Sequence, residues 1–249
     1  MKLSVIIIAK NEAIDIPDCI QSVHGLAGEI IVLDSGSIDG TPEICRKLGA
    51  TVIETDWPGD GPQKNRAVAL CQGKWVLCLD ADERVSADLK QEIKKIIDAD
   101  TDLTAFRMPR SSLFCGKFMK HSGWWPDYIT RLFLRKSGKF TNVLTHTHLE
   151  FKGKLGTFQN PIIHLAIPAI EESLEKMNLY SSEGAKTLSR KGNRSSITKA
   201  TLRGLWMFFK TFIIRRGFLD GREGFVLAVL NAEGSFYRHA KLAFMQSRR

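Results

Sequence analysis

Asp80-Ala81-Asp82 follows the apolar run Trp75-Val76-Leu77-Cys78-Leu79 and sets two carboxylates, one residue apart, at the mouth of a strand. Hard cations such as Mg²⁺ and Mn²⁺ take oxygen ligands and bridge protein carboxylates to substrate phosphates, so the pair is a candidate divalent-cation anchor. Asp also follows strands for turn chemistry alone. The metal reading therefore depends on which other polar loops meet this one.

The elements around it alternate. Leu3 to Ile8, Glu29 to Leu33, Thr51 to Glu54 and Trp75 to Leu79 are short apolar runs suited to strands buried on both faces. Between them, Ile14, Cys19, Ile20 and Val23 fit a helix closed near Gly25. Thr41 can cap a second, with Pro42 in its first turn and Gly49 past its end. Asn65 to Gln72 forms a third, closed by Gly73, and Ser86 caps an amphipathic fourth. This βαβαβαβ order predicts a mostly parallel, Rossmann-like α/β sheet flanked by helices. Ligands of such sheets bind beyond the carboxyl ends of the strands. Ala9-Lys10-Asn11-Glu12, Asp34-Ser35-Gly36-Ser37 and Asp80-Ala81-Asp82 all fall there, so three loops should share one crevice.

The remainder reads differently. Strands are expected at Ala105 to Met108, Thr130 to Leu134, Thr145 to Glu150 and Ile162 to His164, and helix from Ile170 onward. His146 and His148, alternating on one strand, share a face; with no clear third partner, a structural zinc site there is not expected.

The net charge of +9 is lopsided. Residues from Lys186 onward hold 14 of the 36 Lys/Arg and 3 of the 27 Asp/Glu, which leaves the first 185 residues at −2. Within that basic tail, Leu202 to Ile214 is rich in Trp and Phe and is followed by Arg215-Arg216. This pattern suits a helix lying in an anionic membrane interface better than a nucleic-acid reader; a helical cap packed on the catalytic domain is the alternative. Five scattered cysteines without a CxxC pair suit a reducing compartment. The short run Leu3 to Ala9 is not a signal peptide, and no stretch approaches the length of a membrane span. A cytoplasmic protein is expected.

Four segments taken in order, Ser4 to Glu12, Val32 to Thr41, Gln63-Lys64-Asn65 and Trp75 to Glu83, resemble the family 2 glycosyltransferases with the GT-A fold. Pro126-Asp127 before Arg131-Leu132-Phe133, then His164 and the basic tail, extend the resemblance to the lipopolysaccharide core β-glucosyltransferase branch. It implies a GT-A domain over residues 1–169, with a nucleotide-binding half (1–100) and an acceptor half (101–169), and a membrane-associated helical extension over 170–249. The implied activity is inverting, metal-dependent transfer of a hexose, from a donor such as UDP-glucose, to a lipopolysaccharide inner-core precursor. That places the protein on the inner face of the cytoplasmic membrane, with Mg²⁺ or Mn²⁺ as cofactor and no nucleic-acid partner.

By that resemblance Asp82 is the direct metal ligand, Asp80 lies near the ribose or a metal-bound water, and Glu83 supports the loop. His164 is either a third ligand or a structural histidine. Asp34 hydrogen-bonds the base or ribose, or else caps its own turn. Asn11 and Glu12 line the nucleotide pocket with Ala9, Lys10, Ser35 and Ala81, or simply open the first helix. Lys64 is a cation beside the nucleotide or a surface charge. Where many relatives carry two adjacent aspartates after the second strand, this chain has Asp34 followed by Ser35. Asp127 leads as catalytic base, since a base must reach the acceptor hydroxyl, and Glu150 follows. Trp124, Trp125 and Tyr128 suit stacking on an acceptor sugar, or serve as core anchors. Three rival functions fit less well. These are transfer from another sugar nucleotide or to another lipid-linked acceptor, a haloacid-dehalogenase type phosphatase using the Asp-x-Asp, and a non-enzymatic basic membrane-binding protein. A dinucleotide dehydrogenase is disfavoured because no GxGxxG follows the first strand.

Overall fold

Alternation of side chains along three strands builds two separate cores. In the computed structural model, which describes residues 1–142 and 147–246, β1 (Leu3–Ala9), β2 (Glu29–Asp34), β3 (Thr51–Glu54) and β4 (Trp75–Asp80) pair in parallel in the order β3-β2-β1-β4. Leu3, Val5 and Ile7 join Ile30, Val32, Trp75, Leu77 and Leu79 on one face. Ile6, Ile31, Leu33, Val76 and Cys78 fill the other. Successive strand residues point to opposite faces, so a run apolar at every position must be covered twice. Helices α1 (Ile16–Ser22), α2 (Thr41–Lys47) and α4 (Ala87–Asp98) supply Ile16, Cys19, Ile20, Cys45, Leu89 and Ile93 to the first core. Helix α3 (Asp60–Leu70) supplies Ala67 to the second, where Cys71 also packs.

Beyond β4 the sheet continues antiparallel through β8 (Asp127–Leu134), then β6 (Leu103–Phe114), β12 (Ile162–Ile167) and β5 (Glu83–Val85). Strand β11 (Lys154–Thr157) adds to β6, as does β7 (Lys117–Phe118), and β9 (Gly138–Phe140) pairs with β10 (Leu149–Phe151) as a separate ribbon. The expected α/β, GT-A type architecture is present, with two local differences. Helix α3 starts at Asp60 rather than Asn65, because Pro62 sits in its first turn, where a missing N–H costs nothing. Thr41 does not cap α2: the cap position is Gly40, and the Thr41 hydroxyl instead donates to Asp39 Oδ1 at 2.6 Å. The strand expected across Thr145 to Glu150 lies partly outside the described residues, and only Leu149–Phe151 is extended.

Asn65 anchors the ribbon. Its amide donates to the Phe140 carbonyl and accepts from the Phe140 N–H, both at 2.9 Å. Truncation strands two backbone groups beside a buried Phe140, so Asn65→Ala is expected to lower stability by about 2 kcal/mol in urea unfolding.

The chain divides into two compact units, residues 1–110 with 128–164, and residues 111–127 with 165–249. The loop carrying Trp124 and Trp125 thus belongs with the helices. In this second unit α5 (Ile170–Arg190), α6 (Ile197–Phe209) and α7 (Gly221–Gln246) pack together, and Phe114, Met119, Leu227 and Leu230 form its core. Helix α6 approaches α7 closely because Gly204 has no side chain; a Cβ there would lie 3.2 Å from the Ala232 carbonyl. A π-helical turn (Lys210–Ile214) and a 3₁₀ turn (Gly217–Asp220) link the two. Buried Asp220 fastens the preceding loop, accepting from the N–H groups of Lys120 and His121, both at 3.0 Å, and from the Ser122 hydroxyl at 2.9 Å. No helix among the described residues is long and apolar enough to cross a membrane.

Candidate active site

Register alone gathers the three expected loops. Ala9 lies opposite Asp34, and Ile8 opposite Asp80, so β1, β2 and β4 end side by side. The Ser35 N–H donates to the Ala9 carbonyl at 3.0 Å. Asn11, held at φ 56°, accepts from the Ile38 N–H at 2.9 Å, while its own N–H reaches Ser37 Oγ at 2.8 Å. The Glu12 N–H donates to Thr41 Oγ1 at 2.9 Å. Asn11 and Glu12 thus tie the entry of α1 to the loop after β2. Lys10 is exposed, whereas Ala9 and Ala81 are buried.

Asp34 is buried, and its carboxylate serves its own turn. Oδ2 accepts from the N–H groups of Gly36 and Ser37 at 3.0 and 2.9 Å, and Oδ1 from the Ser37 hydroxyl. Turn capping is therefore what this carboxylate does here. Ser35, also buried, receives the Gln63 amide at 3.1 Å, which ties α3 to the same rim.

The next residue of α3, Lys64, is not a surface charge. Only 5% exposed, it contacts Asp60 Oδ1 at 2.9 Å and Asp80 Oδ1 at 3.3 Å and lies over the Phe140 ring. Burial opposes its charge, but the Cys78 thiol and the Asp80 and Asp60 carboxylates outweigh burial and raise its pKa. Arg131 of β8 meets Asp80 Oδ2 and, at 2.7 Å, Glu83 Oε1; Arg110 approaches Glu83 at 3.7 Å. Three cations thus face the three carboxylates of Asp60, Asp80 and Glu83. Burial pushes the Asp80 carboxyl up, yet Arg131 and Lys64 hold it well below the usual carboxylate range. Burial dominates at Glu83 and raises its pKa, and the two carboxylates in turn outweigh burial at Arg131 and keep it charged. Asp80 is therefore ionised and held between Lys64 and Arg131. Arg131 and Gln63 were not among the expected site residues; an arginine inside the apolar run of Thr130 to Leu134 was the available signal.

Asp82 faces a different partner. Antiparallel pairing sets His164 of β12 opposite Glu83 of β5, and this brings His164 Nε2 to 3.3 Å from Asp82 Oδ2. Arg84 stiffens the loop, donating to the Ala81 carbonyl at 2.9 Å and to Asp15 Oδ1 at 3.0 Å. No group of three or more His, Cys, Asp or Glu side chains among the described residues forms a metal cluster. The pair nonetheless fits a Mg²⁺-like ion. Adjacent ligands about 2.1 Å from an octahedral centre stand about 3 Å apart, and such ions complete their shell with water and substrate phosphate.

Glu150 lies on β10 opposite Lys139 and borders a surface cavity with Lys136 and Lys152. Trp124 packs edge-to-face on Phe114, ring centroids 5.8 Å apart, as a core anchor of the second unit. Trp125 and Tyr128 are exposed, and the Arg107 guanidinium lies over the Tyr128 ring at 5.0 Å. Asp127 opens β8. His146 lies outside the described residues, and His148 precedes β10.

A mostly parallel α/β sheet continued by antiparallel strands is the GT-A architecture expected from the sequence. The Glycosyl transferase family 2 description matches residues 4–155, and the chain belongs to that family. An uncharacterized glycosyltransferase of Rickettsia felis is 35% identical over 97% of this chain and 89% of its own length. The lipopolysaccharide core biosynthesis glycosyltransferase LpsC of Rhizobium meliloti is 27% identical over 96% of this chain and 94% of its own. Among solved structures, S. aureus TarS 1–349 in complex with UDP superposes with a TM-score of 0.51 at 15% identity, covering 100% of this chain and 92% of that one, a likeness of fold. The protein is a transferase; the phosphatase and the non-enzymatic readings fall.

Proposed function

We propose that the enzyme transfers glucose from UDP-glucose, with inversion, to an inner-core sugar of a lipopolysaccharide precursor at the cytoplasmic membrane surface. The observation that carries the reading is the open Asp82–His164 pair beside the rim formed by β1, β2 and β4. The likeness to LpsC supports the acceptor class.

Asp82 and His164 would hold the divalent cation. A cation held there would supply Lewis-acid stabilisation for the charge on the departing diphosphate. Lys64, buried and kept charged, adds a fixed positive potential at the rim, while Arg131 keeps Asp80 ionised and positioned. The turn built on Asp34 and Asn11 gives the nucleoside a rigid floor. Asp127 takes the acceptor hydroxyl proton as that oxygen attacks the anomeric carbon from the face opposite the diphosphate. Purified enzyme with Mn²⁺ and labelled UDP-glucose is expected to add one β-linked hexose to a heptose-bearing lipid A precursor, read by mass and anomeric NMR coupling. Absence of transfer to this acceptor would overturn the assignment.

The membrane reading rests on the second unit. Leu202, Leu205, Trp206 and Phe209 of α6 are between 47% and 64% exposed, next to Lys199, Arg203 and Lys210. Apolar and aromatic side chains beside cations suit the headgroup region of an anionic bilayer, each cation adding about 1 kcal/mol near the surface. The enzyme is expected to float with vesicles containing phosphatidylglycerol and not with pure phosphatidylcholine. Leu205→Asp with Trp206→Ala should lose this flotation at unchanged melting temperature; equal flotation of that variant would contradict the reading.

A further inference from the structure

Ser173, on α5, is 5% exposed, and its hydroxyl has no hydrogen-bond partner among the described residues. A buried hydroxyl without a partner costs about 1–3 kcal/mol unless something supplies one. It lines a cavity of about 290 Å³ whose wall is otherwise made by side chains of α5, α6 and α7 with Trp124 and Ile167. We propose that this cavity is a binding subsite for an anionic saccharide, a sugar ring bearing a phosphate or carboxylate, and that it holds part of the acceptor.

Size, surface and charge argue together. The volume is at the low end for small-molecule sites, enough for a single ring and too little for a whole sugar nucleotide. Trp124 and Leu230 give an apolar wall, and Trp124 is fixed by Phe114, so its ring is held rigid for stacking. Ser173 and Asn231 face the cavity as hydrogen-bonding groups. Two cations line it, Lys176 and Arg238, and no carboxylate does so. Glu172 shares the charge of Lys176, which leaves Arg238 to set the sign of the site. Arg238 runs along α5 beside Gly184, its Nε 2.6 Å from where a Cβ on Gly184 would stand. A planar guanidinium is suited to a phosphate or carboxylate. Assignment of the ring to the acceptor rests on the transferase reading and on the chain itself, since Trp124 stands three residues before Asp127.

The test titrates the full chain with glucose 6-phosphate, glucose and inorganic phosphate, following tryptophan fluorescence, and repeats it on Arg238→Ala and Ser173→Val. Arg238 is exposed, so its variant should fold, and Ser173→Val fills the cavity from a second position. Saturable binding of glucose 6-phosphate is expected, at least tenfold weaker in both variants, with glucose and inorganic phosphate each binding more weakly to the wild type. No binding to the wild type, equal binding to the variants, or inorganic phosphate matching glucose 6-phosphate would overturn the proposal. Hydrolysis of UDP-glucose with Mn²⁺ is read on the same samples. If the wild type binds the phosphosugar but does not turn over UDP-glucose, the UDP-glucose reading fails while the subsite stands.

Discussion

Asp82→Ala is expected to lower turnover by roughly a hundredfold or more while leaving the fold and its stability unchanged, because a Lewis acid at the leaving group is worth several kcal/mol in the transition state. Stability should survive because the side chain is partly exposed and its one ion pair, with His164, spans 3.3 Å. A single partly solvated pair of that length contributes about 1 kcal/mol. His164→Ala should act in the same direction and more weakly, through a higher Mn²⁺ requirement, since the carboxylate supplies the charge and the imidazole a neutral donor. Metal-dependence curves on wild type and both variants check this. Asp82→Ala with wild-type turnover, or His164→Ala with an unchanged Mn²⁺ midpoint, would remove the pair from the metal.

The largest loss of stability is expected from Arg131→Met. Arg131 meets Asp80 and Glu83 together, and Glu83 is wholly buried. Removing one partner of a buried pair leaves uncompensated charge and typically costs about 3–5 kcal/mol, far more than the net worth of the pair. Asp80 is partly solvated, so most of this cost falls on Glu83. Pairing Arg131→Met with Glu83→Gln should therefore recover a good part of the loss, as a double-mutant cycle in urea would show. A cost below about 1 kcal/mol for the single variant would mean that water reaches this network.

The sheet was legible because its strands are apolar at every position and its helices carry caps, prolines and glycines at their ends. Short strands were not: Glu83–Val85 and Gly138–Phe140 are three residues each and gain order only by pairing with distant partners. The convergence of the Ala9, Asp34 and Asp80 loops followed from strand order alone. Division of labour inside the Asp80-Ala81-Asp82 segment did not, because it depends on Arg131 and His164 arriving from 51 and 82 residues downstream. Lys64 looked like either of two things in sequence; the structure buries it beside Asp60 and Asp80. Trp124, for which sugar stacking and core anchoring were both open in sequence, packs its ring edge-to-face on Phe114 and also lines the cavity of the second unit.

All of this turns on a cation-dependent donor site at the carboxyl edge of β1, β2 and β4. Thermal shift of the purified chain across a panel of sugar nucleotides, with Mn²⁺ and with EDTA, addresses it directly. Stabilisation by UDP-glucose that needs Mn²⁺ and disappears in Asp82→Ala is the expected result. Failure of every sugar nucleotide to stabilise the protein in Mn²⁺, or stabilisation that persists unchanged in EDTA, would contradict it.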